Sequence, residues 1–142
     1  MRRVALCAIA LIATAAAGAP VGAEDAPATN RAMSRGWEFS EQGGASLFRN
    51  VCAACHQPDA KGAVGAAAYP SLASDKKLVS TDFMLSVLLR GLNGMPPLGD
   101  MMSDAQVADV VTYVRTHFGN SYPGAVSPAD VSAARRRATT AP

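Results

Sequence analysis

Cys52 and Cys55 stand three positions apart, and His56 follows the second thiol directly. Thiols at that spacing beside an imidazole serve three chemistries: a thiol–disulfide centre, a zinc site, or a covalently attached haem. A structural zinc ion takes four protein ligands. Beyond the first 23 residues the remaining Cys or His is His117, which sits in a strongly patterned helical stretch. Recruiting it would break that helix and crowd the adjacent Cys55 and His56. A thiol–disulfide centre expects a strand before the pair within a βαβ unit. Here the pair closes a predicted helix, in a chain without strand-like alternation. A structural disulfide would leave the histidine unexplained. Haem attachment uses all three residues. Two thiols on the last turn of a helix can form thioethers along one porphyrin edge, and the next residue then lies where an imidazole can ligate iron.

The elements that must position this motif are predominantly helical. A helix is predicted over Ser40–Cys55, with Ser40 as N-cap and Leu47, Phe48 and Val51 at helical spacing. Gly43 and Gly44 weaken it unless something packs closely there. Gln57–Ser74 is rich in Gly, Ala and Pro and reads as an irregular loop. A second helix is predicted over Ser80–Arg90, burying Phe83, Val87 and Leu88 and stopping at Gly91. The run "GLNGMPPLGD", Gly91–Asp100, is a loop that adjacent prolines keep extended. Ser103–Phe118 is the clearest helix: Ser103 and Gln106 suit a capping box, Asp104 suits the positive end of the dipole, and Val107, Val110, Val111, Val114 and Phe118 form a stripe ended by Gly119. His117 reads as an exposed residue at that helix end. Residues 120–142 read as a C-terminal tail with at most one short helix near Pro128–Arg137, and Arg135–Arg137 as a solvated charge cluster. Trp37, ahead of the first helix, would cover a hydrophobic edge.

The first segment carries an address. Arg2 and Arg3 precede an apolar run, Val4–Ala17, shorter than the roughly 20 residues of a membrane-spanning helix. Val21-Gly22-Ala23 offers small residues to a signal peptidase, so 1–23 reads as a signal peptide and 24–39 as a flexible lead-in. Cleavage would remove Cys7, which follows Leu6 rather than a lipoprotein-type small residue, and would leave Cys52 and Cys55 as the thiols. Losing Arg2 and Arg3 also takes 13 basic residues to 11, equal to the 11 acidic ones. A formally neutral chain lacks the basic face that nucleic acid requires. Aromatics make up only 6% of the residues, so the core is thin and an apolar cofactor would help to fill it. Stable membrane insertion is not expected.

The stretch Gly44–Gly119 resembles a class I cytochrome c. Gly44 and Phe48 match the glycine and aromatic of the family's first helix, and Cys52, Cys55 and His56 match its attachment motif. Pro70 and Leu72 match a Pro-x-Leu in the following loop, Met95-Pro96 a ligand loop, and Tyr113 the aromatic that crosses the first helix. The run from Met95 to Asn120 is further similar to small cytochromes c that accept electrons from bacterial periplasmic dehydrogenases. The resemblance implies an all-α fold, three main helices plus loops wrapped around one covalent haem c, over residues 40–119. It implies thioethers at Cys52 and Cys55, haem contact from Pro70 and Leu72, and His56 as proximal ligand bonded to the Pro70 carbonyl. Met95 is the distal ligand of choice, a soft thioether in a proline-stiffened loop. Met101 and Met102, against the next helix cap, are its rivals, and Met84 reads as core or haem packing.

With His56 and Met95 both on iron, no site is open to substrate, and the expected function is one-electron transfer in the periplasm rather than enzymatic catalysis. The expected donor is a periplasmic dehydrogenase; the acceptor is a terminal oxidase or another cytochrome. Two alternatives remain: a dedicated haem subunit of one dehydrogenase, and a ligand-binding or peroxidatic haem protein with an open distal site.

Overall fold

A computed structural model describes residues 38–65 and 67–140. The segment expected to be a signal peptide, Cys7, Trp37 and most of the expected lead-in lie outside the described residues. The first helical run comprises α1, Gly44–Leu47, a π-helical turn over Phe48–Cys52, and α2, Ala53–His56. It starts four residues later than Ser40, because Gly43 takes φ +76° and breaks the helical path. The wider turn falls on the residues that lead into the Cys-x-x-Cys-His motif. Such insertions re-aim side chains and recur at functional sites.

The chain then forms a small hairpin that the sequence pattern did not suggest. β1, Ala63–Val64, pairs antiparallel with β2, Ala68–Tyr69, in the register Ala63 to Tyr69. A 3₁₀ turn over Lys76–Val79 leads to α3, Thr81–Arg90, whose first turn is capped by the Ser80 hydroxyl accepting from the Phe83 N–H at 3.2 Å. The expected stop at Gly91 holds, with φ +75°. The buried face of α3 is Leu85 and Leu88, while Phe83 is 39% exposed. The expected stripe is rotated because α3 packs on two helices, not one.

A 3₁₀ turn over Gly99–Met101 precedes α4, Asp104–Thr116. The capping box is present. The Ser103 hydroxyl accepts from the Gln106 N–H at 3.2 Å, and the Gln106 side-chain oxygen accepts from the Ser103 N–H at 2.8 Å. Val107, Val110, Val111 and Val114 are buried against Leu47 and Phe48. α1 crosses α4 at Gly44, where a Cβ would collide with the Asp109 carbonyl oxygen and lie 2.5 Å from Tyr113 Cβ. Only glycine permits that approach. Phe118 lies past the helix end at φ +59° and packs on Phe48, ring centroids 4.5 Å apart.

The segment after Gly119 departs most from expectation. It is not a solvated tail. Pro128–Thr140 forms a full helix, α5, packed on α3 and α4. Val126, Val131 and Ala134 enter the same core. Pro128 suits a first helical position, and the Ser127 hydroxyl accepts from the Asp130 N–H at 3.2 Å as its cap. The buried Arg115 side chain holds the approach to α5, donating to the carbonyls of Leu78, Pro123 and Gly124 at 3.1, 3.2 and 2.8 Å. Arg135 is part-buried and bonded, as described below.

Candidate functional site

Cys52 and Cys55 lie about one helical turn apart at the end of the first helical run, so both can address one edge of a flat group. Cys52 is half-buried, Cys55 exposed, and neither is in a disulfide. Burial, with Cys55 next to it, pushes the Cys52 thiol up to about 11. Thiol–disulfide centres rely on depressed thiols that supply a thiolate near neutral pH. Cys52 is shifted the opposite way, and the motif follows a helix rather than a strand.

His56 is 8% exposed. Its Nδ1 lies 3.0 Å from the Pro70 carbonyl oxygen, the partner that the family pattern names. A carbonyl only accepts, so Nδ1 carries the proton and Nε2 presents a lone pair to a metal. The loop that brings Pro70 there is tightly tied. The Gly62 N–H donates to the His56 carbonyl at 2.9 Å, and the buried Ala60 carbonyl accepts from Leu72 and Ala73 at 2.8 and 3.1 Å. Gly62 takes φ +70° where a Cβ would collide with the Tyr69 carbonyl, so the loop closes only around a glycine.

Asn120, 6% exposed, fixes this loop from below. Its side-chain N–H groups donate to the Leu72 and Val114 carbonyls at 2.8 and 2.9 Å, and its oxygen accepts from the Asp75 N–H at 3.1 Å. Sequence reasoning missed Asn120, because an asparagine after glycine reads as an ordinary turn residue.

Met95 comes from the other loop. Its N–H and carbonyl pair with Leu92, at 2.9 and 3.0 Å, in a tight reversal, and the Leu98 N–H ties the loop to the Leu88 carbonyl of α3 at 2.9 Å. Met95, Cys52, Leu72 and Met84 all pack on one core cluster. Met102 is itself in that core at 5% exposure, and the Met101 carbonyl accepts from the Phe39 N–H at 2.9 Å. The described end of the lead-in is therefore pinned. Gln106 adds to this by donating to the Phe39 and Glu41 carbonyls at 2.8 and 2.9 Å. His117 is engaged elsewhere: it stacks on Tyr113 at 4.0 Å, and its Nδ1 faces the Tyr113 carbonyl at 2.9 Å.

Among the described residues no group of three or more His, Cys, Asp or Glu forms a metal cage. Haem needs none, since the porphyrin supplies four ligands and the chain only axial ones. The donor set fits that group: two unpaired thiols, an imidazole with its outer nitrogen committed, and a thioether on a stiffened loop.

A mainly helical body around a Cys-x-x-Cys-His turn defines a cytochrome c domain, with covalently attached haem c as its cofactor and electron transfer as its role. The chain belongs to the family described as cytochrome C oxidase, cbb3-type, subunit III, whose model matches residues 40–114. It is 32% identical over 105 residues to the cytochrome c subunit of alcohol dehydrogenase (quinone) from Komagataeibacter europaeus, covering 65% of this chain and 22% of that protein. It is 34% identical over 110 residues to the gluconate 2-dehydrogenase cytochrome c subunit of Pantoea cypripedii, covering 69% and 25%. Over 93 residues it is 34% identical to the fructose dehydrogenase cytochrome subunit of Gluconobacter japonicus, covering 55% and 19%. The chain thus spans a quarter or less of the length of these relatives. Among the described residues no helix is long and apolar enough to cross a membrane.

Proposed function

We propose that the chain is a periplasmic one-electron carrier that takes electrons from a dehydrogenase and passes them to a terminal oxidase or another cytochrome. Cys52 and Cys55 would hold haem c through thioethers, and His56 and Met95 would ligate its iron. Haem c supplies a one-electron Fe(II)/Fe(III) couple. The residues do the rest. The Pro70 carbonyl fixes the His56 tautomer and ring plane. Leu72, packed against the core, would contact the cofactor together with Pro70. The Leu92–Met95 reversal and Pro96-Pro97 present the Met95 sulfur, a soft ligand that favours the reduced state.

The observation that carries this reading is the 3.0 Å pairing of His56 Nδ1 with the Pro70 carbonyl. A bonded outer nitrogen is the usual arrangement of a metal-ligating histidine. Mass spectrometry of the exported, denatured protein after acid–solvent extraction is expected to show one added haem. A mass equal to the bare chain sinks the reading. Met95→Ala is expected to abolish the weak far-red charge-transfer band of the ferric protein, lower the potential and admit carbon monoxide to the reduced form. Retention of the band there, with its loss in Met101→Ala or Met102→Ala, would move the role to those residues.

A second reading has its own support: the relatives are cytochrome subunits of dehydrogenases. A one-to-one complex with a single dehydrogenase that survives gel filtration at high salt would make the chain a dedicated subunit. Dissociation into free cytochrome supports the carrier.

A further inference from the structure

The C-terminal helix α5 bonds to the loop that carries Met95 through the side chain of Arg135. Arg135 donates from Nε to Asp104 Oδ1 at 2.7 Å, from one terminal nitrogen to the Gly99 carbonyl at 2.8 Å, and from the other to the Met102 carbonyl at 2.7 Å. Its three nitrogens thus grip both ends of the Gly99–Met101 turn and the first residue of α4. The planar fork of a guanidinium suits such a three-point grip, whereas an ammonium would act as a single point charge.

The Gly99 carbonyl has room for an outside donor. The turn closes through the Met101 N–H on the Leu98 carbonyl at 3.1 Å, but the bond from the Met102 N–H to the Gly99 carbonyl is long at 3.4 Å. Gly99 is wedged against α3, where a Cβ would lie 2.9 Å from the Leu89 carbonyl oxygen. The chain is therefore pinned to α3 at Leu98 and Gly99, and to α5 at Gly99 and Met102. Between Met95 and those anchors lie only Pro96 and Pro97, which transmit position because their φ angles are fixed.

We propose that Arg135 is a positioning residue for the haem's sixth ligand: α5 acts as a strap that holds the Gly99–Met102 turn and thereby keeps the Met95 loop closed over the iron. The proposal rests on the reading of Met95 as that ligand. It assigns the segment beyond the family-matched 40–114 region a part in the redox centre. A helix that only thickened the core would need no guanidinium spanning the turn.

Ligand exchange in the ferric holoprotein tests this. Imidazole can bind the iron only when the Met95 loop opens, so its apparent affinity reads the opening equilibrium. Arg135→Gln removes three charge-assisted bonds and is expected to raise imidazole affinity at least about tenfold. Arg135→Lys should restore part of the wild-type value by keeping the charge near Asp104. Arg137→Gln, on the same helix as Arg135 but losing a 3.1 Å pair with Asp82 of α3, should leave the affinity unchanged. In a Met95→Ala background, where the site already stands open, adding Arg135→Gln should change nothing.

Three results overturn the proposal. If Met95→Ala binds imidazole tightly but Arg135→Gln behaves as wild type, the strap is wrong while the ligand reading stands. If Met95→Ala binds no more tightly than wild type, the ligand reading fails and the strap with it. If Arg137→Gln matches Arg135→Gln, α5 acts through general docking and not through the Arg135 grip.

Discussion

The loop from Gln57 to Asp75, which carries Pro70 and Leu72, is held by a neutral amide, whereas the loop from Gly91 to Met102, which carries Met95, is held by a cation. Asn120 is buried and satisfies two carbonyls and one N–H with uncharged bonds. Arg135 and Asp104 form an ion pair at 2.7 Å, with side chains 29% and 34% exposed. Buried neutral bonds hardly respond to salt, and breaking one strands its partner in a dry core. A part-exposed ion pair is weaker and screened by salt. The difference teaches that the two sides of the site differ in how far they can yield. On this basis the histidine side is expected to be as firm as the core, and the methionine side to loosen while the body stays folded.

The severest test removes what both loops close upon. Replacing Cys52 and Cys55 together by serine is expected to leave a chain without haem, poorly folded, with amide exchange fast in both loops. With so few aromatics the core is thin without the cofactor. Slow exchange in the 57–75 loop of that variant would show that Asn120 organises its side unaided, which would widen the contrast.

Asn120→Ala ranks next. It orphans the Leu72 carbonyl and the Asp75 N–H, and it should cost about 2–4 kcal/mol of global stability by denaturant titration. A loss below about 1 kcal/mol would mean that the amide is not what fastens this loop. Imidazole affinity, referred to the folded fraction, should stay near wild type, since the methionine side is untouched.

Salt sharpens the contrast more gently. Raising ionic strength towards about 1 M should increase imidazole affinity of the wild type by a few-fold, as the Arg135–Asp104 pair is screened. The same change should do little in Arg135→Gln. A wild-type response as flat as that of the variant would remove the electrostatic half of the comparison.

The smallest effect lies at the start of α5. The Asp130 carboxyl is held below its ordinary 3.8 because the Ser127 hydroxyl, and then the Ser127 N–H, donate to it. A depressed folded value stabilises the charged form. The contribution is therefore present above the ordinary carboxylate range and is lost as pH falls through the folded value. Asp130→Asn should lower the melting temperature slightly at neutral pH, and the gap to wild type should close in acid. A constant gap across that range would exclude the carboxylate as its source.

Much of this molecule was written in short stretches of sequence. The Cys52-x-x-Cys55-His56 motif, the Ser103–Gln106 capping box, the Gly91 stop and the valine stripe of α4 each depend on residues within a few positions of one another. Local hydrogen bonds and helical periodicity set them, so they can be read without knowing the fold. Gly44 and Tyr113 required the family pattern, because a helix crossing leaves no local mark. Only the tertiary structure decided what the residues after Gly119 do. Ala-, Pro- and Arg-rich sequence is compatible with a solvated tail, and α5 becomes a packed helix because Val126, Val131 and Ala134 find a core supplied by α3 and α4. Arg135 and Asn120 show the same limit. Their partners lie 31 to 36 and 6 to 48 residues away, and most of those partners are backbone carbonyls. Every residue type carries that group, so nothing in the chain's letters distinguishes the carbonyls that folding brings within reach of these two side chains.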